Sequence, residues 1–149
     1  MLNKSEVFAA LQTEVNKRVS DLEKALDSSR AEMVSESKST AGDKHETGRA
    51  MAQLEQEKLG RQVLSARELQ KAIAQIKLDQ EHTEIQYGSL VKTPNGWFFF
   101  SVGIGKLIVE AESVFCLTMT SPLGNVLKGK KEGDSIQFNG RTIEIESVC

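Results

Sequence analysis

Apolar side chains recur through the first half of this chain at spacings dominated by three and four residues. In a first run they are Phe8, Leu11, Val15, Val19, Leu22, Leu26 and Met33; in a second, Met51, Leu54, Leu59, Val63, Ala66, Leu69, Ile73 and Ile76. That period puts one narrow apolar stripe on each of two helices, the pattern of a coiled-coil seam. The spacing predicts a helix over roughly 5–37 and a second over about 44–78. Between them Ser37-Lys38-Ser39-Thr40-Ala41-Gly42 is small and polar and ends in glycine, so the chain is expected to reverse there. An arm of about 33 residues is about 50 Å long at about 1.5 Å per residue. One short loop makes the two arms antiparallel. A finger of this kind buries little, which suits a probe better than a core; a dimerisation coiled coil is the plain alternative.

The composition changes near residue 80. Before it there is no proline, Phe8 is the only aromatic residue, and the glycines are Gly42, Gly48 and Gly60. After it come both prolines, the other eight of the 11 glycines and runs of Val, Ile and Phe. The fold class implied is α+β: a helical hairpin over 1–80, then a small β-rich domain with one short helix over 81–149. Pro94-Asn95-Gly96 separates the strand-like runs 85–91 and 97–102, and Val114–Met119 is a further apolar run. Ser121-Pro122 has the form of a helix start, serine as N-cap and proline in the first position, with Gly129 closing the helix. Asn139-Gly140, flanked by 135–138 and 142–145, is a two-residue hairpin signal, because both turn positions need positive φ. Trp97-Phe98-Phe99-Phe100 alternates poorly for a half-exposed strand and is expected in the core, buried on both faces, with one aromatic in a contact surface as the alternative.

A net charge of -2 gives no global basic field for duplex nucleic acid, so no direct sequence-specific DNA binding is expected. Neither a membrane span nor a basic-then-apolar leader is visible. Cys116, inside Val114–Leu117, is expected as a core thiol and Cys149 as a frayed end; two cysteines make no disulfide framework, which fits a reducing, cytoplasmic location. Gly103-Ile104-Gly105-Lys106 lacks the spacing of a phosphate loop and is expected to be a strand-to-strand turn. His45 and His82 lie far apart in the expected fold, so a zinc site has no support.

The chemistry-bearing stretch is Gly42-Asp43-Lys44-His45-Glu46. Asp43 and Glu46, three apart at the start of the second helix, fall on nearly one side. Two carboxylates can hold one face of a Mg²⁺ ion and leave the rest of its shell to a partner. The same pair also reads as a helix N-cap with a capping-box glutamate, stabilised by the helix dipole.

Finger, Gly-Asp-x-x-Glu stretch and small β domain together resemble the Gre transcript cleavage factors of bacteria. Ser121-Pro122-Leu123-Gly124-Asn125-Val126-Leu127, followed by Lys128-Gly129-Lys130-Lys131-Glu132-Gly133-Asp134, is similar to the Ser-Pro and Gly-Asp blocks of that family's FKBP-like domain. The resemblance implies a factor that is not itself an enzyme. It would bind RNA polymerase through the secondary channel and stimulate the polymerase to cleave backtracked RNA. It assigns Asp43 and Glu46 as the functional, Mg²⁺-holding pair and brings the nascent RNA 3′ end beside them. Gly42, Lys44, Arg49, Ser121 and Pro122 are then candidate contacts to polymerase or RNA. The chain departs from the family at Thr47-Gly48-Arg49-Ala50, where an Asn, a small residue and Glu-Tyr are usual. A channel-binding regulator without cleavage is the nearest alternative, and a structural coiled-coil adaptor the more distant one.

Overall fold

The computed structural model describes residues 2–39 and 46–149, with the side chains of 35–39 and 46 outside the description. Two long helices come first, α1 (Lys4–Ser39) and α2 (Glu46–Ala74). A β-rich portion follows: β1 (Leu90–Thr93), β2 (Gly96–Phe100), β3 (Gly105–Val109), β4 (Glu112–Leu117), the short helix α3 (Pro122–Leu127), β5 (Ser135–Phe138), β6 (Arg141–Glu144) and β7 (Ser147–Val148). The class is α+β, as expected. The chain forms two compact units: Glu14–Gln70, and the start of the chain through Thr13 together with Lys71–Cys149.

In the helical unit α1 and α2 run antiparallel. Gln70 Nε2 donates to Asn16 Oδ1 at 2.8 Å, and Arg67 reaches Glu23 Oε1 at 2.6 Å, so partners ascend on one helix as they descend on the other. Val15, Val19 and Leu26 of α1 and Val63 and Ala66 of α2 are buried between the charged outer faces. Two members of the expected α2 stripe lie elsewhere: Met51 and Leu54 are 67% and 64% exposed. The seam instead uses Ala52, Gln56, Leu59, Val63 and Ala66, all buried or half-buried. Those positions keep a four-three alternation through Val63, whereas Met51 and Leu54 fall on a neighbouring strip of the helix. The expected reversal at 37–42 is partly taken up by helix, since α1 continues to Ser39; residues 40–45 lie outside the described residues.

The second unit is built on a five-stranded sheet of order β3-β4-β2-β1-β7, with β5 and β6 forming a separate two-stranded hairpin. All pairs are antiparallel except β2 with β4, which is parallel, Trp97 opposite Val114 through Phe100 opposite Leu117. One sheet face carries Val91, Phe100 and Leu117 into a core shared with Leu127 of α3, Ile136 and Ile143 of the β5–β6 hairpin, and Ile85 and Ile145. Each such side chain contributes about 1.5–3 kcal/mol on burial. The other face buries Leu90, Phe99, Val114 and Cys116, and the same unit buries Val7, Leu11, Ile73 and Ile76 of the two long helices. Trp97, Phe99 and Phe100 are thus core; Phe98 is half-buried and meets Phe115 edge-to-face at 6.2 Å.

The turns follow the sequence in three places. Asn139 and Gly140, at φ 52° and 76°, join β5 to β6 in a two-residue turn. α3 begins at Pro122 with Ser121 as N-cap. Residues 101–104 join β2 to β3, so Gly103-Ile104-Gly105-Lys106 is a turn entering a strand. Elsewhere the structure corrects the sequence reading. Residues 85–89 are not strand: Gly88 turns at φ 91°, and β1 starts only at Leu90. α2 stops at Ala74, not near 78, because Ile76 turns inward to pack beside Gly88 and the Tyr87 hydroxyl donates to the Ala72 carbonyl, satisfying a last-turn acceptor. Cys149 is not frayed: its N–H and C=O both pair with Leu90 at 3.0 Å.

Candidate functional site

Of the residues that sequence singles out, Gly42, Asp43 and Lys44 lie outside the described residues. Glu46 is the first residue of α2, and its side chain is likewise outside the description. α1 ends at Ser39 and α2 begins at Glu46, so the Asp43–Glu46 stretch joins the two antiparallel arms in sequence. Arg49 stands exposed in the first turn of α2. Among the described residues no three His, Cys, Asp or Glu side chains gather as metal ligands.

Ser121 and Pro122 sit in the β-rich unit, and their local structure is fully determined. Ser121 Oγ donates to Thr118 O at 2.8 Å and accepts the Gly124 N–H at 3.0 Å, so one hydroxyl ties the preceding loop to the helix start. Pro122 takes the position where a missing N–H costs nothing. Gly124 is confined: a Cβ there would lie 2.2 Å from Thr118 O and 2.9 Å from Met119 O. The Ser-Pro-x-Gly pattern is therefore what lets this loop close tightly on α3. Pro122 is exposed and Ser121 half-buried, so the pair can reach a partner only through the edge of this helix start.

Sequence reasoning did not find two further clusters. In the β-rich unit Lys4 is buried, and its Nζ donates to Gln80 O at 2.9 Å. Burial pulls the Lys4 ammonium below its usual range, partly offset by Cys149 and Glu81. His82 is buried beside it; burial, and then the Lys4 charge, depress the imidazole. A helix-start lysine and a loop histidine 78 positions apart carry no sequence signal of meeting. In the helical unit Arg18, Lys58 and Arg61, with Asp21 as counter-charge, rim an apolar groove of about 570 Å³ floored by Leu22, Ala66 and Leu69. The heptad pattern could have shown the floor but not the cations. Cys116 is a core thiol as expected, pushed by burial up to about 11. Among the described residues no helix is long and apolar enough to cross a membrane.

No protein-family model matches the chain, and no curated protein matches it in sequence. Among solved structures it is similar to one described as the transcription factor Gfh1, over 93% of this chain and 93% of that one. At 15% identity and a TM-score of 0.38, that similarity is a distant one.

Proposed function

We propose that this chain is a Gre-type factor. It binds bacterial RNA polymerase through the secondary channel with its α1–α2 hairpin and stimulates cleavage of backtracked RNA. One observation carries the reading. α1 and α2 pair antiparallel and end at Ser39 and Glu46, so the Gly42-Asp43-x-x-Glu46 motif links the far ends of two long arms. A second support is the Ser121-Pro122 block, which builds a capped helix in a small β unit that we assign as FKBP-like.

In this reading Asp43 and Glu46 hold part of the shell of a Mg²⁺ ion shared with the polymerase, beside the extruded RNA 3′ end. A second metal in such a site activates water and stabilises the leaving oxygen of a phosphodiester. The catalysis belongs to the polymerase, and the chain supplies two carboxylates. Lys44 and Arg49 neutralise RNA phosphate, Gly42 lets the tip approach closely, and Ser121 and Pro122 contact polymerase outside the channel. The place of action is the cytoplasm.

A specific observation also favours a regulator that occupies the channel without promoting cleavage: Arg49 presents an exposed cation in the first turn of α2, in the segment where Gre factors usually carry Glu-Tyr. RNA cleavage in purified backtracked complexes, run beside a polymerase-binding assay, separates the readings. Asp43→Asn with Glu46→Gln should bind as the wild type does and lose cleavage, since neutral amides hold Mg²⁺ far more weakly than carboxylates. A wild type that binds and never stimulates cleavage establishes the regulator. A wild type with no affinity for core polymerase removes both readings.

A further inference from the structure

Two hairpin turns of the β-rich unit meet around a cavity that the proposed polymerase role does not use. It measures about 390 Å³ and is lined by Asn95, Phe138, Asn139, Arg141 and Ile143. That is within the range of small-ligand sites, about 300–1,000 Å³. Asn95 belongs to the β1–β2 turn, which Thr93 holds rigid: its Oγ1 donates to Gly96 O at 2.9 Å and accepts the Asn95 N–H at 3.2 Å. Asn139 is the first residue of the β5–β6 turn, fixed at φ 52°. Phe138 and Arg141 are the cross-strand pair that closes this turn. They share a hairpin face with Ile136 and Ile143, because alternate residues of a strand project to one side.

The floor and the rim differ in chemistry. Ile143 is buried and Phe138 packs against the core, so the floor is apolar. The side chains of Asn95, Asn139 and Arg141 make no hydrogen bond or ion pair with any described residue. No carboxylate lines the cavity, so the guanidinium has no internal counter-ion. Arg141 also occupies a position on the hairpin's core-facing side where the alternation calls for an apolar residue. A cation with five donors in a fixed fork, two amides and an apolar floor are complementary to a carboxylate that carries an apolar group.

We propose that this cavity binds a carboxylate bearing an apolar substituent. Arg141 receives the carboxylate, Asn95 and Asn139 hydrogen-bond the adjoining amide, and the apolar group lies on Phe138 and Ile143. The C-terminal residue of a polypeptide and a free N-acylated amino acid present this same chemistry.

The test is an NMR titration of the full chain with three probes: an acetylated pentapeptide ending in leucine with a free carboxylate, its C-terminal amide, and N-acetyl-leucine. The free-carboxylate peptide should shift the Asn95, Asn139 and Arg141 resonances saturably. The amide should bind at least about tenfold more weakly, the scale of one lost charge-assisted hydrogen bond. Arg141→Gln should weaken the carboxylate probe by a similar factor. Asn139→Gly, which removes the amide and keeps the backbone geometry, should weaken it less while leaving the fold intact. N-acetyl-leucine binding as tightly as the peptide assigns the site to small acids; tighter peptide binding assigns it to polypeptide ends. Absence of saturable shifts at these three residues with both carboxylate probes, or equal affinity for acid and amide, overturns the proposal.

Discussion

His82 Nδ1 lies 2.7 Å from Ser89 Oγ, and that oxygen also accepts the Gln86 N–H at 2.9 Å. With one lone pair occupied by the backbone N–H, the Ser89 hydroxyl keeps its proton and a second lone pair, so it can partner Nδ1 in either tautomer.

A pH dependence follows. Burial first and the Lys4 charge second depress the His82 pKa below its ordinary 6.5 in the folded chain, while the unfolded chain titrates near that value. The unfolded state therefore binds the proton more readily. The stability tied to neutral His82 is fully present above about pH 6.5 and is lost as pH falls through the folded pKa. Denaturant midpoints measured from pH 7.5 down to 5 should decline. His82→Gln should flatten that part of the curve. A wild-type midpoint independent of pH over this range would show that His82 is not held neutral.

Gly124→Ala should destabilise the β-rich unit by about 2–3 kcal/mol, since its methyl would sit 2.2 Å from a backbone carbonyl that cannot swing away like a side chain. Ser121→Ala should cost about 1 kcal/mol, the value of a lost N-cap. Urea unfolding of the two variants gives the order. A Gly124→Ala protein as stable as the wild type would mean that the loop before α3 is looser than its contacts indicate.

Along α2, neighbouring residues should respond very differently. Val63 is 6% exposed and Leu64 is 64% exposed. Val63→Ala should lower helical stability by about 2 kcal/mol, the loss of buried methyl groups plus a residual cavity. Leu64→Ala should change it by less than about 0.5 kcal/mol. Thermal unfolding followed at 222 nm (a helix band) reads both. Equal effects would show a seam rotated from the one described.

The parts of the fold that sequence reveals are those in which one residue type answers one local need. Asn139-Gly140 supplies two positive φ angles, and Ser121-Pro122 supplies a cap and a preset first turn. The β3–β4 turn shows the opposite case. Glu110 and Ala111 sit at φ 52° and 64°, so the backbone adopts the same left-handed pair with residues that do not favour it. Strand pairing on both sides imposes the geometry and leaves no local signature. Met51 and Leu54 mislead for a related reason: apolar identity marks a seam only where the register agrees, and half-buried Ala52 and Gln56 hold the register instead. At the candidate site, spacing alone reads Asp43 and Glu46 as a helix cap as readily as a metal pair, and only the family resemblance singles them out; Arg49 is exposed and the Ser121-capped helix start is exposed or half-buried. The Arg141 cavity could not have been read in advance. It depends on two turns more than 40 residues apart, Asn95 and Asn139, coming together in space.

The single parallel pairing in the sheet shapes how this unit assembles. β1 with β2 and β3 with β4 are local hairpins, and each can close in about 1–10 μs without the other. The β2–β4 seam, Trp97 on Val114 through Phe100 on Leu117, is the non-local pairing that joins the two ribbons, and β7 lies on the far edge of β1. Docking of two preformed ribbons, rather than zipping of one meander, should therefore limit the folding rate, as non-local contacts generally do. Truncations at Phe99 or Val114 should slow refolding, whereas changes in the β5–β6 hairpin should chiefly hasten unfolding.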